Sequence, residues 1–338
     1  MEIINNIFRK IKNDNSVWGN YTLELTLDAL LEIYLAGGDA KYKKYVESVM
    51  LKRKIKPEDN IPYESQPFGH LNYNLYLAAN DARIASAFIE ESKKYFKEVP
   101  RSKDGLVLHE YKKGEPPKVL IDSFQDYAAR MARTGKLIGD KTFFNECAEQ
   151  FRLHRNLLRS NETGLWHQGR GWENNPESIS PGAWSRGQGW ILKGLIDSLD
   201  VLPEGSNEFL ELKKYLDELI EALLKVQDKN GMWHVLPDLN HEQSAPETSG
   251  TALICRAFFK AYHNNWTTDE NVLISAEKAF KAIGKLVDEA GTVRKACVGP
   301  GPLNNNFRKK YFGSKFEECE AHGKFAVLYA CAAKGFNN

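Results

Sequence analysis

The eight residues Ala183–Trp190, "AWSRGQGW", hold two Trp, one Arg, one Gln and two Gly ahead of the helical run "ILKGLIDSL". A guanidinium offers a planar fork to a carboxylate. Indole rings cover the apolar face of a sugar. Where helical geometry begins by Arg186, Trp190 lies one turn on and shares its face. A helix N-terminus at the same place favours an anion, and the glycines let a ligand or another chain approach the backbone. The stretch therefore suits an anion with an apolar ring face. Packing is the competing explanation for the stretch as a whole.

Three further stretches could carry chemistry. "VLIDSFQDYAARMA" places Asp122 at the start of a helix, with polar residues 122, 125 and 126 on one face. This carboxylate is either a solvated cap or a catalytic group. Buried beside aromatic rings, it would have a raised pKa and could act as a general acid near neutral pH. His109 follows a Gly turn and could partner it. "NETGLWHQGRGW" supplies Trp166, His167, Arg170 and Trp172, a set suited to sugar recognition or to packing between repeats. "SAPETSGTALICRAFF" puts Glu247, Thr248 and Ser249 before another helix, where capping is the simpler reading of Thr248 and Ser249.

The elements that must position these residues are helices. "YTLELTLDALLEIYLAGG", "FLELKKYLDELIEALLKVQ" and "NVLISAEKAFKAIGKLV" carry apolar stripes at helical spacing. Polar runs ending in Gly105, Gly164, Gly231 and Gly291 recur at intervals of 59, 67 and 60 residues. Each interval holds roughly two helices, as stacked helical hairpins require. Between helices, "GGDAKY", "ANDARI" and "IGDKTF" break at a small or amide residue and restart after an Asp that can cap the next helix. About six hairpins closed on themselves predict an all-α (α/α)6 barrel, with inner helices around a pocket. No Pro/Ser-rich linker interrupts the chain, so residues 1–338 are expected to form a single domain.

Bulk properties exclude several classes. Lys and Arg number 46 and Asp and Glu 45, a net charge of +1, which argues against nucleic acid and against an anionic membrane surface as partners. The longest apolar run, Phe325–Ala333, has nine residues, whereas a membrane span needs about 20. No secretory signal is visible. The five Cys are odd in number, widely spaced and free of CxxC. They read as reduced thiols of a cytoplasmic protein, without a metal cluster. Phosphate-loop, dinucleotide, zinc-protease and Ser-hydrolase motifs are missing.

Six motifs in order carry a resemblance. They are "VPRSKDG…LHE", "LIDSF", "NETGLWHQG", "WSRGQGW", "ETSGTAL" and "HGKFAVLYA". The chain resembles the unsaturated rhamnogalacturonyl hydrolases, glycoside hydrolase family 105, and their relatives in family 88, the unsaturated glucuronyl hydrolases. The resemblance implies an (α/α)6 barrel acting on lyase-generated oligosaccharides that end in a 4,5-unsaturated uronic acid. It implies hydration of the C4=C5 vinyl ether rather than displacement at C1, with no metal or organic cofactor. By motif, Asp122 matches the general acid/base. His109 and His167 match pocket histidines. Trp184, Arg186 and Trp190 match the substrate wall, with Arg186 near the uronate or its neighbouring sugar. Trp18 or Tyr21 would cover the mouth.

The chain departs from the family pattern at three places. Glu64 stands where an Asp is usual, the Trp of W-x-D-T is lost in "VLIDSF", and Lys324 replaces a Gly. Two alternatives follow from the residues alone. One is another enzyme on this barrel: an inverting glycosidase pairing Asp122 with Glu64 or Glu247, or an epimerase using His109 and His167. The other is a sugar-binding toroid without turnover. Linkage, aglycone and oligomeric state are not legible in the sequence.

Overall fold

The computed structural model describes residues 2–13, 20–52, 62–63, 66–67, 70–109, 117–172, 175, 177–299, 304–309, 311–313 and 315–335. Helices dominate it. After α1 (Glu2–Asn13), five hairpins follow: α2 (Asn20–Leu35) with α3 (Lys41–Lys52), α4 (His70–Ala79) with α5 (Ala82–Glu98), α6 (Ile121–Ile138) with α7 (Lys141–Leu158), α8 (Ser185–Leu199) with α9 (Asn207–Leu224), and α10 (Thr248–His263) with α11 (Glu270–Gly284). A short α12 (Asn305–Lys309) precedes α13 (Glu320–Lys334), which packs on α1 as the sixth pair. Two small antiparallel ladders join them: β1 (Pro62–Tyr63) with β2 (Gln66–Pro67), and β3 (Val119–Leu120) with β4 (Gly169–Arg170).

The inner helices touch in the order α2, α4, α6, α8, α10, α13 and back to α2, so the ring closes. Position in the ring explains composition. Every residue of α8 is buried, and so is most of α10, because an inner helix meets neighbours on both flanks and its outer partner behind. The outer α9 buries one face, with Phe209, Leu212, Tyr215, Leu216, Leu219, Ile220, Ala222 and Leu223 turned inward. All four repeat glycines take positive φ, from 75° at Gly164 to 95° at Gly231, the backbone that turns each outer helix back towards the mouth. The predicted Asp caps also form. Asp39, Asp81 and Asp140 accept from the backbone N–H of Lys41, Arg83 and Thr142 at 2.8, 2.9 and 2.9 Å.

The glycines of "WSRGQGW" have a packing reason. A Cβ on Gly187 would lie 2.4 Å from Ile121 Cδ1, and one on Gly189 would lie 2.6 Å from Leu253 Cβ. On α10, a Cβ at Gly250 would meet the Arg186 backbone nitrogen at 2.6 Å. These gaps bring α8 against α6 and α10 and draw the first turns of three inner helices together.

The axis of the ring is polar. Towards the C-terminal ends, Asp197 takes Lys193 Nζ at 2.6 Å and Arg256 Nη2 at 2.7 Å, with Arg133 at 3.3 Å. Arg256 also reaches Glu32 at 2.8 Å. Asp28 accepts from Tyr329 at 2.6 Å and Asn74 at 2.8 Å. Cations here offset the negative ends of the inner helices. Among the described residues no helix is long and apolar enough to cross a membrane.

Candidate active site

The site is built at the N-terminal ends of the inner helices. The β3–β4 ladder pairs Val119 with Arg170 and Leu120 with Gly169, and Ile121 N then donates to Gln168 O at 3.0 Å. The chain turns directly into α6, so Asp122 sits in its first turn. Gly169 is needed here, because a Cβ would lie 2.3 Å from Val119 O. Burial pushes the Asp122 carboxyl up to about 6, against the opposing pull of the Arg186 charge and a hydrogen bond from the Trp190 side chain. A carboxyl poised there exchanges a proton near neutral pH.

Arg186 and Trp190 flank it from α8. Trp190 stacks on Phe325 at 5.7 Å and donates to Asp122. Arg186 is 3% exposed and bound to protein. Its Nη1 donates to Ser249 Oγ at 2.8 Å and Cys297 O at 2.7 Å, and its Nη2 to Val298 O at 2.9 Å. The guanidinium lies 4.4 Å from the Trp184 ring. Arg186 thus contributes a fixed positive charge beside Asp122, and its fork grips main-chain carbonyls rather than reaching outward. Trp184 is buried with Val235, Leu236 and Cys297 beneath that charge.

The ring closure supplies a pair that sequence reading missed. Tyr21 Oη on α2 meets His322 Nε2 on α13, and His322 Nδ1 lies 3.0 Å from Cys297 O. Burial and then the Arg186 charge lower His322 to about 3, so it stays neutral. The sequence signal was present in the "HG" opening the last inner helix. Its partner is 301 residues away, in contact only once the toroid closes. Deeper in the ring, burial and then the charges of Asp126 and Asp28 push Glu24 well above its ordinary value.

The remaining candidates separate. His109 Nδ1 bonds Ser123 Oγ, beside Asp122, and its ring sits 6.1 Å from Trp172. His167 points elsewhere. Its Nδ1 lies between Ser180 O at 2.8 Å and Gly182 N at 3.0 Å. The ring lines a cleft of about 420 Å³ with Asp238 and Arg308. In the extended segment leading to β4 the next residue, Gln168, is the one opposite Ile121. It is 2% exposed, and its Oε1 has no hydrogen-bond partner among the described residues. Alternation along an extended chain separates the two by one residue. Trp166 is a packing residue, stacked 6.0 Å from Phe124. Arg170 is held by Asp104 at 2.9 Å. Trp18 and Glu64 lie outside the described residues.

Glu247 is a structural cap. It accepts from Ser249 N at 2.9 Å, Ser249 Oγ at 2.6 Å, Gly250 N at 2.6 Å and Cys297 N at 3.0 Å. It is the residue that caps α10, whereas the sequence reading gave that role to Thr248 and Ser249. Thr248 instead donates to Arg294 O at 2.7 Å. Lys324 is buried along α13 and pairs with Glu320 at 3.4 Å. Among the described residues no three His, Cys, Asp or Glu side chains converge as metal ligands.

A closed ring of six helical hairpins with a buried acid at its mouth defines the class of six-hairpin glycoside hydrolases. The sequence profile of Glycosyl Hydrolase Family 88 matches residues 3–333, and the chain belongs to that family. It is 23% identical over 255 residues to the unsaturated rhamnogalacturonyl hydrolase YesR of Bacillus subtilis, covering 73% of this chain and 71% of that one. It is 27% identical over 208 residues to the unsaturated 3S-rhamnoglycuronyl hydrolase of an Alteromonas species, covering 60% of this chain and 47% of that one. The fold matches a family 105 glycoside hydrolase of C. acetobutylicum with a TM-score of 0.81 at 23% identity, covering 98% of each chain. It also matches an unsaturated glucuronyl hydrolase of Bacillus sp. GL1 with a TM-score of 0.71 at 14% identity, covering 97% of this chain and 94% of that one. By its family the protein is a glycoside hydrolase, and the two curated relatives are both hydrolases of unsaturated uronyl sugars.

Proposed function

We propose that residues 1–338 act as one catalytic domain that removes a 4,5-unsaturated uronic acid from the non-reducing end of lyase-generated oligosaccharides. The observation that carries the reading is the Asp122 carboxyl, pushed up to about 6 beside Trp190 and Arg186. Protonated Asp122 gives its proton to C4 of the vinyl ether, leaving positive charge on C5 and the ring oxygen. Water adds at C5, and the Asp122 carboxylate takes the proton that water releases, so the acid is restored. The hemiketal opens by breaking the bond between C5 and the ring oxygen. The hemiacetal left at C1 then expels the aglycone.

The other residues support this step. Trp190 orients the carboxyl. Arg186 supplies a field that draws the substrate's carboxylate into the ring, and Trp184 holds Arg186 in place. His109 acts through Ser123 on the first turn of α6. His167 steadies the segment that carries Gln168 past Ile121. Tyr21 covers the mouth in this reading, and Trp18 and Glu64 are assigned to substrate binding by their motifs alone. A paired-carboxylate displacement with Glu247 is disfavoured, because that side chain is consumed by capping bonds.

Asp122→Asn tests the reading. The variant should stop the loss of ultraviolet absorbance from unsaturated uronyl oligosaccharides while keeping native helicity. Wild-type turnover in that variant contradicts it.

A further inference from the structure

The polarity of the Tyr21 hydroxyl is fixed by its neighbours. Cys297 O can only accept, so His322 Nδ1, 3.0 Å away, must carry the hydrogen. Arg186 is close enough to oppose a charge on His322, and the ring is neutral. A neutral imidazole protonated at Nδ1 presents Nε2 as an acceptor. Tyr21 therefore donates its only hydrogen to His322 Nε2. Whatever else meets the Tyr21 oxygen must bring a hydrogen of its own. Tyr21 is half-buried at the mouth and near Arg186. His322 also touches the wall of the site, standing 6.2 Å from Phe325, which stacks on Trp190.

We infer that His322 is a positioning residue that makes Tyr21 an acceptor-only contact, selecting a sugar hydroxyl there and rejecting a carboxylate or sulfate. The inference rests on the substrate reading above. A carboxylate has no hydrogen to offer, so the uronate end is turned away from Tyr21 and a ring hydroxyl faces it. Because His322 stays neutral through the working pH range, this preference does not switch with pH.

Two measurements on the intact protein test it. In nitrogen-15 NMR of the wild type, His322 should show the neutral Nδ1–H tautomer from pH 5 to 8, and Tyr21→Phe should shift only its Nε2 resonance. An Nε2–H tautomer, or titration within that range, overturns the relay. Kinetics on unsaturated uronyl disaccharides from a lyase digest give the second. Tyr21→Phe and His322→Leu should each lower kcat/KM about tenfold, mostly through KM, and the double variant should lose no more than either alone. His322→Gln, whose amide can donate to Cys297 O and accept from Tyr21, should recover most of the loss. Additive losses near a hundredfold, or full activity in His322→Leu, overturn the inference. A wild type that consumes none of these disaccharides overturns the substrate reading and the hydroxyl contact with it, while the nitrogen spectrum still decides the relay.

Discussion

Asp122→Asn should make the protein more stable at neutral pH while removing its activity. The folded-state carboxyl is raised from 3.8 to about 6. Between those values the folded protein binds the proton more tightly than the unfolded chain does, so stability falls as pH rises through the window. The penalty is complete above about pH 6 and vanishes below about pH 4. A shift of about two units corresponds to a ceiling of about 3 kcal/mol. Asp122 as a whole is half-buried although its Oδ2 is covered, which reduces the expected value to about 1–2 kcal/mol. Asn removes the charge, and its oxygen can still accept from Trp190. For a chain of this size the gain amounts to a rise in Tm of about 2 °C at pH 8. Calorimetry of both proteins at pH 4, 6 and 8 measures it. A variant no more stable than wild type at pH 8 refutes the burial argument. A gain of equal size at pH 4 assigns the effect to packing instead.

Three other outcomes follow from the same geometry. Trp190→Phe keeps the ring on Phe325 and removes the donor to Asp122, so the alkaline limb of the pH–rate profile should move up by about one unit; an unmoved or lowered limb counts against the contact. Gly189→Ala should cost about 1–3 kcal/mol by pressing its Cβ on Leu253, read as a lower midpoint in urea, and wild-type stability would show that α8 and α10 are less closely packed. Glu247→Ala strands several buried donors and should cost about 2–4 kcal/mol; loss of activity at unchanged stability would instead make Glu247 a working carboxylate.

Much of this fold is legible in the sequence. Asp39, Asp81 and Asp140 announce helix starts through local chemistry, and the four repeat glycines announce turns. Local signals of this kind survive in a linear text. The closure of the ring follows from counting hairpins, and the place of Asp122 in a first turn from the helical pattern; its reading as an acid comes from the family motif, since position alone leaves a cap open. What was not legible is long-range. Arg186 reads as an outward fork because its partners, Ser249 and the carbonyls of Cys297 and Val298, come from distant segments. His322 stood in plain view without Tyr21, which joins it only when α2 meets α13. His167 carries a strong chemical signal in the sequence, yet the phase of the extended segment turns it towards Ser180 and Gly182 and sets Gln168, which has no such signal, opposite Ile121. Glu247 reads in the sequence as a possible partner of Asp122, with capping left to Thr248 and Ser249; only the folded chain brings Cys297 N and the first turn of α10 onto its carboxylate.

Asp122 is proposed as the acid that hydrates a vinyl ether. The direct measurement follows the ultraviolet absorbance of lyase-generated unsaturated uronyl disaccharides with wild type and Asp122→Asn, with the product identified by NMR. With Asp122 in that role, wild type should bleach the double bond and release a ring-opened 5-keto uronate with the free aglycone, and the Asn variant should do neither. A released sugar that keeps its C4=C5 double bond, or bleaching by the Asn variant at the wild-type rate, would contradict that role.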